Sequence, residues 1–472
     1  ALASQDHPAH KAMVPMASGA GIGRVGEFYE QGNWFKGGVH QTLFSVWLYS
    51  VQQQIYPRFP AGMSQEDLQR LRKLYDLAPD MPEVDWIKQL RKLPSIDWLK
   101  DAGANTGPME TLMKRTPDHP DWYDGGLYHD NEEFNVPAFW FNSWFDVSQG
   151  PNLAVFNHAR ESGKDKVVRN GQYMLMAPTL HCGFYRIPKD KDLIVGELNV
   201  GDATFPLYDQ MFGFFDFYLK DDKSKIFKKL PKVQYYTMGR NIWQSADAWP
   251  PKTAKPMTLF LASNAGANSL FGDGELIDHS RSPSANDQFT YDPMNPVPAL
   301  GGGVCCNKDA ALGGSYDQRG IEARQDVLVY SSNVMEQDLE VTGNVRPIIY
   351  ISSSAKDTDL TVKLVDVYPD GRAFNIDDTI FRVRYRDGYD KQVFMEKQKV
   401  YEIKPTPMST SYVFKQGHKI RIEISSSKFP QYMRNLNTGG NNYDETVGIV
   451  AENTIHHSFQ YPSKIIFSVI QD

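Results

Sequence analysis

Two short apolar runs, VPAFWFN (136–142) and QYMLMAP (172–178), flank the amphipathic stretch QGPNLAVFNHARESG (149–163). Each run reads as a buried strand and the stretch between them as a helix. Strand, helix, strand predicts a right-handed βαβ unit in a parallel sheet. Functional side chains of such a sheet collect in the loops beyond the carboxyl ends of its strands. Here those loops are Ser143-Trp144-Phe145-Asp146 and Thr179-Leu180-His181-Cys182-Gly183.

The text changes character on either side of this unit. Residues 1–40 are rich in glycine and aromatics and read as loops, whereas 41–118 turn helical. Ser64 with Asp67 resembles a capping box ahead of Leu68, Leu71, Leu74 and Tyr75. A second helix is expected from about Val84, with Trp86, Ile87, Leu90 and Leu93 on one side and Pro94 ending it. So helical a stretch between two α/β segments reads as an inserted cap. From 234 onward alternation dominates: Leu360, Val362 and Leu364 precede the turn Pro369-Asp370-Gly371, and Ile420, Ile422 and Ile424 interleave with Lys419, Arg421 and Glu423. Many short strands with Gly and Pro punctuation predict a jelly-roll β-sandwich. The expected organisation is therefore an α/β domain from 1–40 and 119–233, a helical cap at 41–118 and a β-sandwich at 234–472.

Composition narrows the function classes. The 472 residues carry 50 Lys+Arg against 57 Asp+Glu, a formal charge of −7, which offers no basic footprint for a nucleic acid. No stretch reaches the roughly 18 apolar residues of a membrane span. The three cysteines, Cys182, Cys305 and Cys306, cannot form a disulfide framework, although the adjacent pair could close a vicinal bridge or stay reduced. The opening ALASQDHPAHKAMVP (1–15) lacks an initiator Met and a signal-peptide pattern and reads as the middle of a folded domain.

An Asp and a His at the ends of successive strands match the last two members of the order Ser, Asp, His in hydrolases. Asp146 would hold the His181 imidazole in one tautomer and stabilise its charged form. His181 would take the proton from a serine hydroxyl.

Longer phrases carry a family resemblance. VPAFWFNSWFDV (136–147) resembles the segment that holds the catalytic Asp in the cocaine esterase and α-amino-acid ester hydrolase family, relatives of the X-Pro dipeptidyl-peptidases. APTLHCG (177–183) resembles the family's His loop, and FFDFYLK (214–220) with VQYYTMGRNIWQSADAWPP (233–251) its passage into the last domain. GGSYDQRGIEARQDVLVYSS (313–332), DTDLTVKLVDVYPDGRAFNI (357–376) and FPQYMRNLNTGG (429–440) resemble its jelly-roll segments. The resemblance implies an α/β-hydrolase domain, N-terminally incomplete, with a helical cap insertion and a C-terminal jelly roll. It also implies hydrolysis of small esters or amides through an acyl-serine, with α-amino-acid esters or β-lactam-type acyl groups as candidate substrates.

The nucleophile departs from the family. No G-x-S-x-G occurs in these residues, and by the resemblance the serine lies upstream of Ala1, on a segment or separate chain that would act as a partner. Ser315 in Gly313-Gly314-Ser315-Tyr316 imitates an elbow but sits in all-β text, and Ser18 and Ser143 lack an elbow; a hydrogen-bonding or loop role is expected for these two. Trp34, Trp144 and Phe145 are the aromatic candidates for a substrate wall. Asp121 and Asp124 are, by the resemblance, candidates for binding a substrate ammonium group. No cofactor is implied. His7 with His10 and His456 with His457 lack ligand partners at metal spacing, and Gly19, Gly21 and Gly23 lack a nucleotide-binding context. Two readings compete: an X-Pro dipeptidyl-peptidase, and a non-catalytic glycan- or partner-binding protein on a hydrolase scaffold. Residue patterns leave a homo-oligomer open, and family relatives point to a periplasmic or secreted location.

Overall fold

A computed structural model describes residues 2–51, 62–74, 82–104, 107–220, 230–280, 286–305 and 311–471. The helices used below are α1 (Leu43–Val51), α2 (Gln65–Leu74), α3 (Gly107–Lys114), α4 (Gln149–Ser162) and α5 (Leu207–Leu219). The strands of the first sheet are β1 (Ala138–Phe145), β2 (Gln172–Leu180), β3 (Val233–Thr237) and β4 (Ile242–Ala246).

β1 and β2 pair in parallel from Ala138↔Gln172 to Ser143↔Ala177. β2 pairs in parallel with β3, and β4 returns antiparallel to close that edge. At the other edge the stretch around Met13 and Met16 runs parallel to β1 and exchanges backbone bonds with it. Successive side chains point to opposite faces. Phe139, Phe141, Tyr173 and Leu175 therefore meet Leu207 and Phe214 of α5, while Trp140, Met174 and Met176 share a cluster with Leu153 and Phe156 of α4. The expected strand, helix, strand unit is present, with helices on both faces.

The boundary expected at 233/234 cuts through a strand. β3 begins at Val233, and the first sheet runs on to Ala246. Tyr235 and Tyr236 are buried in it, so the alternation that suggested a new domain belongs to the rim of the old one.

The helical region packs around a cluster in which Val46, Leu48 and Tyr49 of α1 meet Trp86, Leu90, Trp98, Met109 and Met113, together with Phe429 and Met433 of the β-sandwich. The amide of Asp67 donates to Ser64 Oγ at 3.1 Å, the geometry of the expected cap. The side chains of Leu71 and Leu74, and all of Tyr75, lie outside the described residues. The second helix is shorter than its pattern. It spans Trp86–Gln89, starts where Asp85 accepts from the Lys88 amide, and leaves Ile87 exposed.

The β-sandwich strands used here are β5 (Ala254–Ala262), β6 (Leu339–Ser353), β7 (Asp359–Val367), β8 (Ala373–Arg382), β9 (Met408–Phe414), β10 (Lys419–Ser425), β11 (Ala451–His456) and β12 (Lys464–Ile470). β7 lies between β8 and β10, and the long β6 pairs with β9, β11 and β12, all antiparallel. Leu360, Val362, Leu364, Ile420, Ile422 and Ile424 are core, as alternation requires. Of the interleaved charges Arg421 and Glu423 are buried too, as is Lys363. Lys363 pairs with Glu423 at 2.6 Å, Arg421 with Glu322 at 2.6 Å, Arg382 with Asp359 at 2.9 Å and Arg384 with Asp357 at 2.7 Å. Loops and the first domain cover the face that alternation would leave to water, so each charge has a partner.

The two domains meet through such groups. Gly37, at φ +55°, lets the Arg382 amide reach its carbonyl, and a Cβ there would stand 1.9 Å from Ile380 O. Beside it Lys36 Nζ donates to the Asp378 carbonyl at 3.0 Å. Burial pushes the Glu30 carboxyl up to about 8 against the pull of Lys36, and Asp377 likewise to about 7. A carboxyl raised on folding stabilises the fold fully below its unfolded value and loses that contribution as pH climbs through its folded one. Glu30→Gln should therefore match the parent near pH 4.5 and gain stability toward pH 9, by up to about 4 kcal/mol. Calorimetric Tm across that range checks it; parallel curves would show that Glu30 does not titrate in the interface.

Candidate active site

Asp146 follows the last residue of β1, and His181 the last residue of β2. Parallel pairing brings Phe145 opposite Leu180, which sets the two loops side by side. Ser143 Oγ and Thr179 Oγ1, 2.6 Å apart, tie the strand ends together. Cys182 then turns the chain sharply in the left-handed region, at φ +53°. The His181 Nδ1 sits 3.1 Å from each oxygen of Asp146.

The pair is asymmetric in exposure. The Asp146 side chain is 0% exposed and that of His181 22%. Asp146 Oδ1 accepts from the Ser148 amide at 2.8 Å and from Ser148 Oγ at 2.7 Å, at the N-terminal end of α4, where negative charge is favoured. Burial disfavours a charged His181, but the hydrogen bond and charge of Asp146 outweigh it, Cys182 adds in the same direction, and the ring is pushed up to about 10. Asp146 thus stabilises the protonated imidazole, the form that donates a proton; the ring can accept one only from its neutral fraction, which grows as pH rises. Among the described residues no hydroxyl hydrogen-bonds to the His181 ring.

Among the described residues the β-sandwich holds three further His–Asp pairs, one of which, His279 with Asp278, is exposed on the surface. His457 Nε2 is 2.8 Å from Asp287 and 3.1 Å from Ser263 Oγ, so acid and serine share one nitrogen and no proton can pass through the ring. His418 Nδ1 bonds Asp366 at 2.9 Å against Tyr368, half-buried just ahead of β10 rather than at the ends of β1 and β2.

The remaining candidates separate by burial. Trp144 is 2% exposed, stacks near Trp249 and donates its indole N–H to Tyr236 O; Phe145 is 1% exposed in the same core. The substrate-wall expectation is corrected for both, because strands covered on two faces send neighbouring rings inward on either side. Trp34 is half-buried and lies against His40 and Phe44, each with ring centroids 5.6 Å away. Phe44 packs on a cluster of Leu43, Val147, Val304 and Cys305 beside Asp146. Asp121 pairs with Arg115 at 3.4 Å on the surface and Asp124 is exposed; no contact among the described residues links either to His181. Ser315 is fully buried and its backbone bridges Gly196, so it has no strand-turn-helix context. Ser18 Oγ donates to Asn152 at 2.9 Å. Cys305 is disulfide-bonded and Cys182 is free; Cys306 lies outside the described residues. Among the described residues no group of three or more His, Cys, Asp or Glu is placed to hold a metal ion, and no helix is long and apolar enough to cross a membrane.

Two contributions escaped sequence reasoning. One is Ser148, whose position two residues after Asp146 was its only signal. The other is a pair of β-sandwich segments, one with Gly303 and one with Gly313: a Cβ on the first would stand 2.8 Å from Asp146 O, and on the second 2.9 Å from the Leu180 side chain. The glycine-rich GGGVCC (301–306) and ALGG (311–314) were the available trace of that close approach.

Residues 225–466 match the family model described as the X-Pro dipeptidyl-peptidase C-terminal non-catalytic domain, and residues 1–183 that of the X-Pro dipeptidyl-peptidase (S15 family). Cocaine esterase of Rhodococcus sp. is 33% identical over 369 residues, which cover 76% of this chain and 62% of that protein. The chain thus spans less than two thirds of that relative's length. Among solved structures, an aminopeptidase from a marine sediment Thaumarchaeota archaeon superposes with TM-score 0.76 at 22% identity, over 98% of this chain and 73% of that one. An α-amino acid ester hydrolase does so with TM-score 0.76 at 22% identity, over 99% and 74%. The shared fold is that of an α/β-hydrolase with a C-terminal β-domain.

Asp146→Asn removes the charge that favours the imidazolium. The His181 ring nitrogens should then titrate at or below the ordinary value near 6.5 instead of well above it. Nitrogen-15 NMR of the histidines across pH 5–11 reads this directly, and an unmoved titration would show that Asp146 does not set the charge of His181.

Proposed function

The chain belongs to the family of cocaine esterase, the α-amino-acid ester hydrolases and the X-Pro dipeptidyl-peptidases, and on that footing we propose that it is the acid–base and substrate-wall portion of a serine hydrolase acting on small esters or amides. The carrying observation is the His181 ring. Its Nδ1 is held by a buried carboxylate and no hydroxyl among the described residues occupies its Nε2 side, at the strand-end position where a sheet presents catalytic groups.

In the proposed reaction a serine hydroxyl outside residues 1–472 attacks the substrate carbonyl carbon as its proton passes to His181 Nε2. The imidazolium, stabilised by Asp146, returns that proton to the departing alkoxide or amine. An acyl-serine remains, and water activated by the same nitrogen releases the acid. The open sheet edge supports the placement of that serine. Val14 and Met16 make no backbone hydrogen bond among the described residues, so a further parallel strand can pair there, and its carboxyl end would emerge on the side of Asp146 and His181. Leu180, exposed beside His181, and the half-buried Trp34 and Phe44, which pack toward the Val147 and Val304 cluster, favour an apolar acyl or leaving group.

The family-model matches favour a second reading, release of X-Pro dipeptides. Hydrolysis of Gly-Pro-anilide against amino-acid esters separates the two. A purely binding scaffold is disfavoured by the retained Asp146–His181 geometry, which no packing requirement explains.

In the protein as its cell makes it, His181→Ala should lower ester turnover by roughly 10²–10⁴-fold, and a fluorophosphonate should label a serine other than Ser315. Ser315→Ala should leave turnover unchanged. Labelling of Ser315, or full activity in the His181 variant, refutes the assignment.

A further inference from the structure

Ser148 is the N-cap residue of the 14-residue α4, a position where a serine ordinarily accepts a hydrogen bond from an amide of the first turn. It makes no such bond. Its hydroxyl is turned to Asp146 Oδ1 at 2.7 Å, and its own amide reaches the same oxygen at 2.8 Å. The helix start forgoes its cap so that one carboxylate oxygen receives two donors from one residue.

That diversion has a geometric effect. The torsion of a carboxylate about its last bond is broad, so burial alone does not choose the plane of the group. One donor fixes an oxygen and lets the plane swing about it; a second donor from another direction stops the swing. Among the described residues only His181 bonds Oδ2, so the orientation that puts both oxygens 3.1 Å from Nδ1 depends on what holds Oδ1. Ser148 is itself immobilised. It is fully buried, Asn152 Nδ2 donates to its carbonyl at 2.9 Å, and a Cβ on Gly19 would stand 2.1 Å from its Cβ, so the Ser18-Gly19 turn closes against it.

We infer that Ser148 is a positioning residue, whose hydroxyl locks the Asp146 carboxylate in the plane from which it orients and charges His181. This rests on the reading of Asp146 and His181 as the acid–base pair. Nitrogen-15 NMR of the His181 ring tests it without requiring turnover. Ser148→Ala should lower the His181 titration by about one pH unit, a tenfold loss of proton affinity, and should broaden the downfield Nδ1–H signal. Ser148→Cys, nearly isosteric and a poorer donor, should move in the same direction and serves if the alanine variant does not fold. Asn152→Ala, which loosens the same turn but spares the hydroxyl, should leave the titration in place. A Ser148 variant that titrates like the parent or higher, or an Asn152 variant that falls as far, overturns the inference. Ester kinetics on the protein as its cell makes it keep the two levels apart: a parent without turnover refutes the proposed function while the titration still judges Ser148, and in an active parent Ser148→Ala should lower kcat about tenfold with KM retained.

Discussion

The parallel ladder between β1 and β2 is the constraint on which the rest depends. Its bonds set Ala138 beside Gln172 and carry the register to the strand ends, and Asp146 and His181 meet because each stands one residue past its strand. A slip of one residue would turn Phe139, Phe141 and Leu175 from the α5 side to the α4 side and separate the two loops. The apolar packing that holds the ladder therefore also fixes a polar contact of 3.1 Å. Packing and chemistry share one determinant.

The β-sandwich is tied to that ladder by polar groups. Gln149 Nε2 reaches Trp144 O and Ser409 O, at 3.1 and 2.6 Å, so the first residue of α4 bridges the end of β1 to β9. The Ser409 amide in turn donates to Asp377, which belongs to the buried group with Lys36 and Glu30. Buried charges of this kind cost desolvation and are tolerated when each finds a partner, and they fix orientation more than they add stability. The glycine-rich sandwich segments against Asp146 and Leu180 complete the arrangement, so the site is bordered by both domains.

Much of this was legible in the residues. Short apolar runs around an amphipathic stretch identify βαβ because periodicity reports which faces are covered, and strand ends then nominate Asp146 and His181. Period 2 in LTVKLV and IRIEI identified β7 and β10 for the same reason. What periodicity cannot report is whether the second face is also covered, as it is where Glu322 and Lys363 pair with Arg421 and Glu423. Likewise Tyr235 and Tyr236 read as the start of a new domain although β3 extends the first sheet.

The sequence alone determined the order of elements, the class of fold and the two residues at the strand ends, because those follow from local pattern and from the rule that parallel strands present their carboxyl ends together. The tertiary structure alone decided which aromatic rings are core, that Ser315 is buried, that the His457 ring meets acid and serine through one nitrogen, and that Ser148 donates to Asp146. Those are questions of distance and burial between groups far apart in the chain, and no local pattern encodes them.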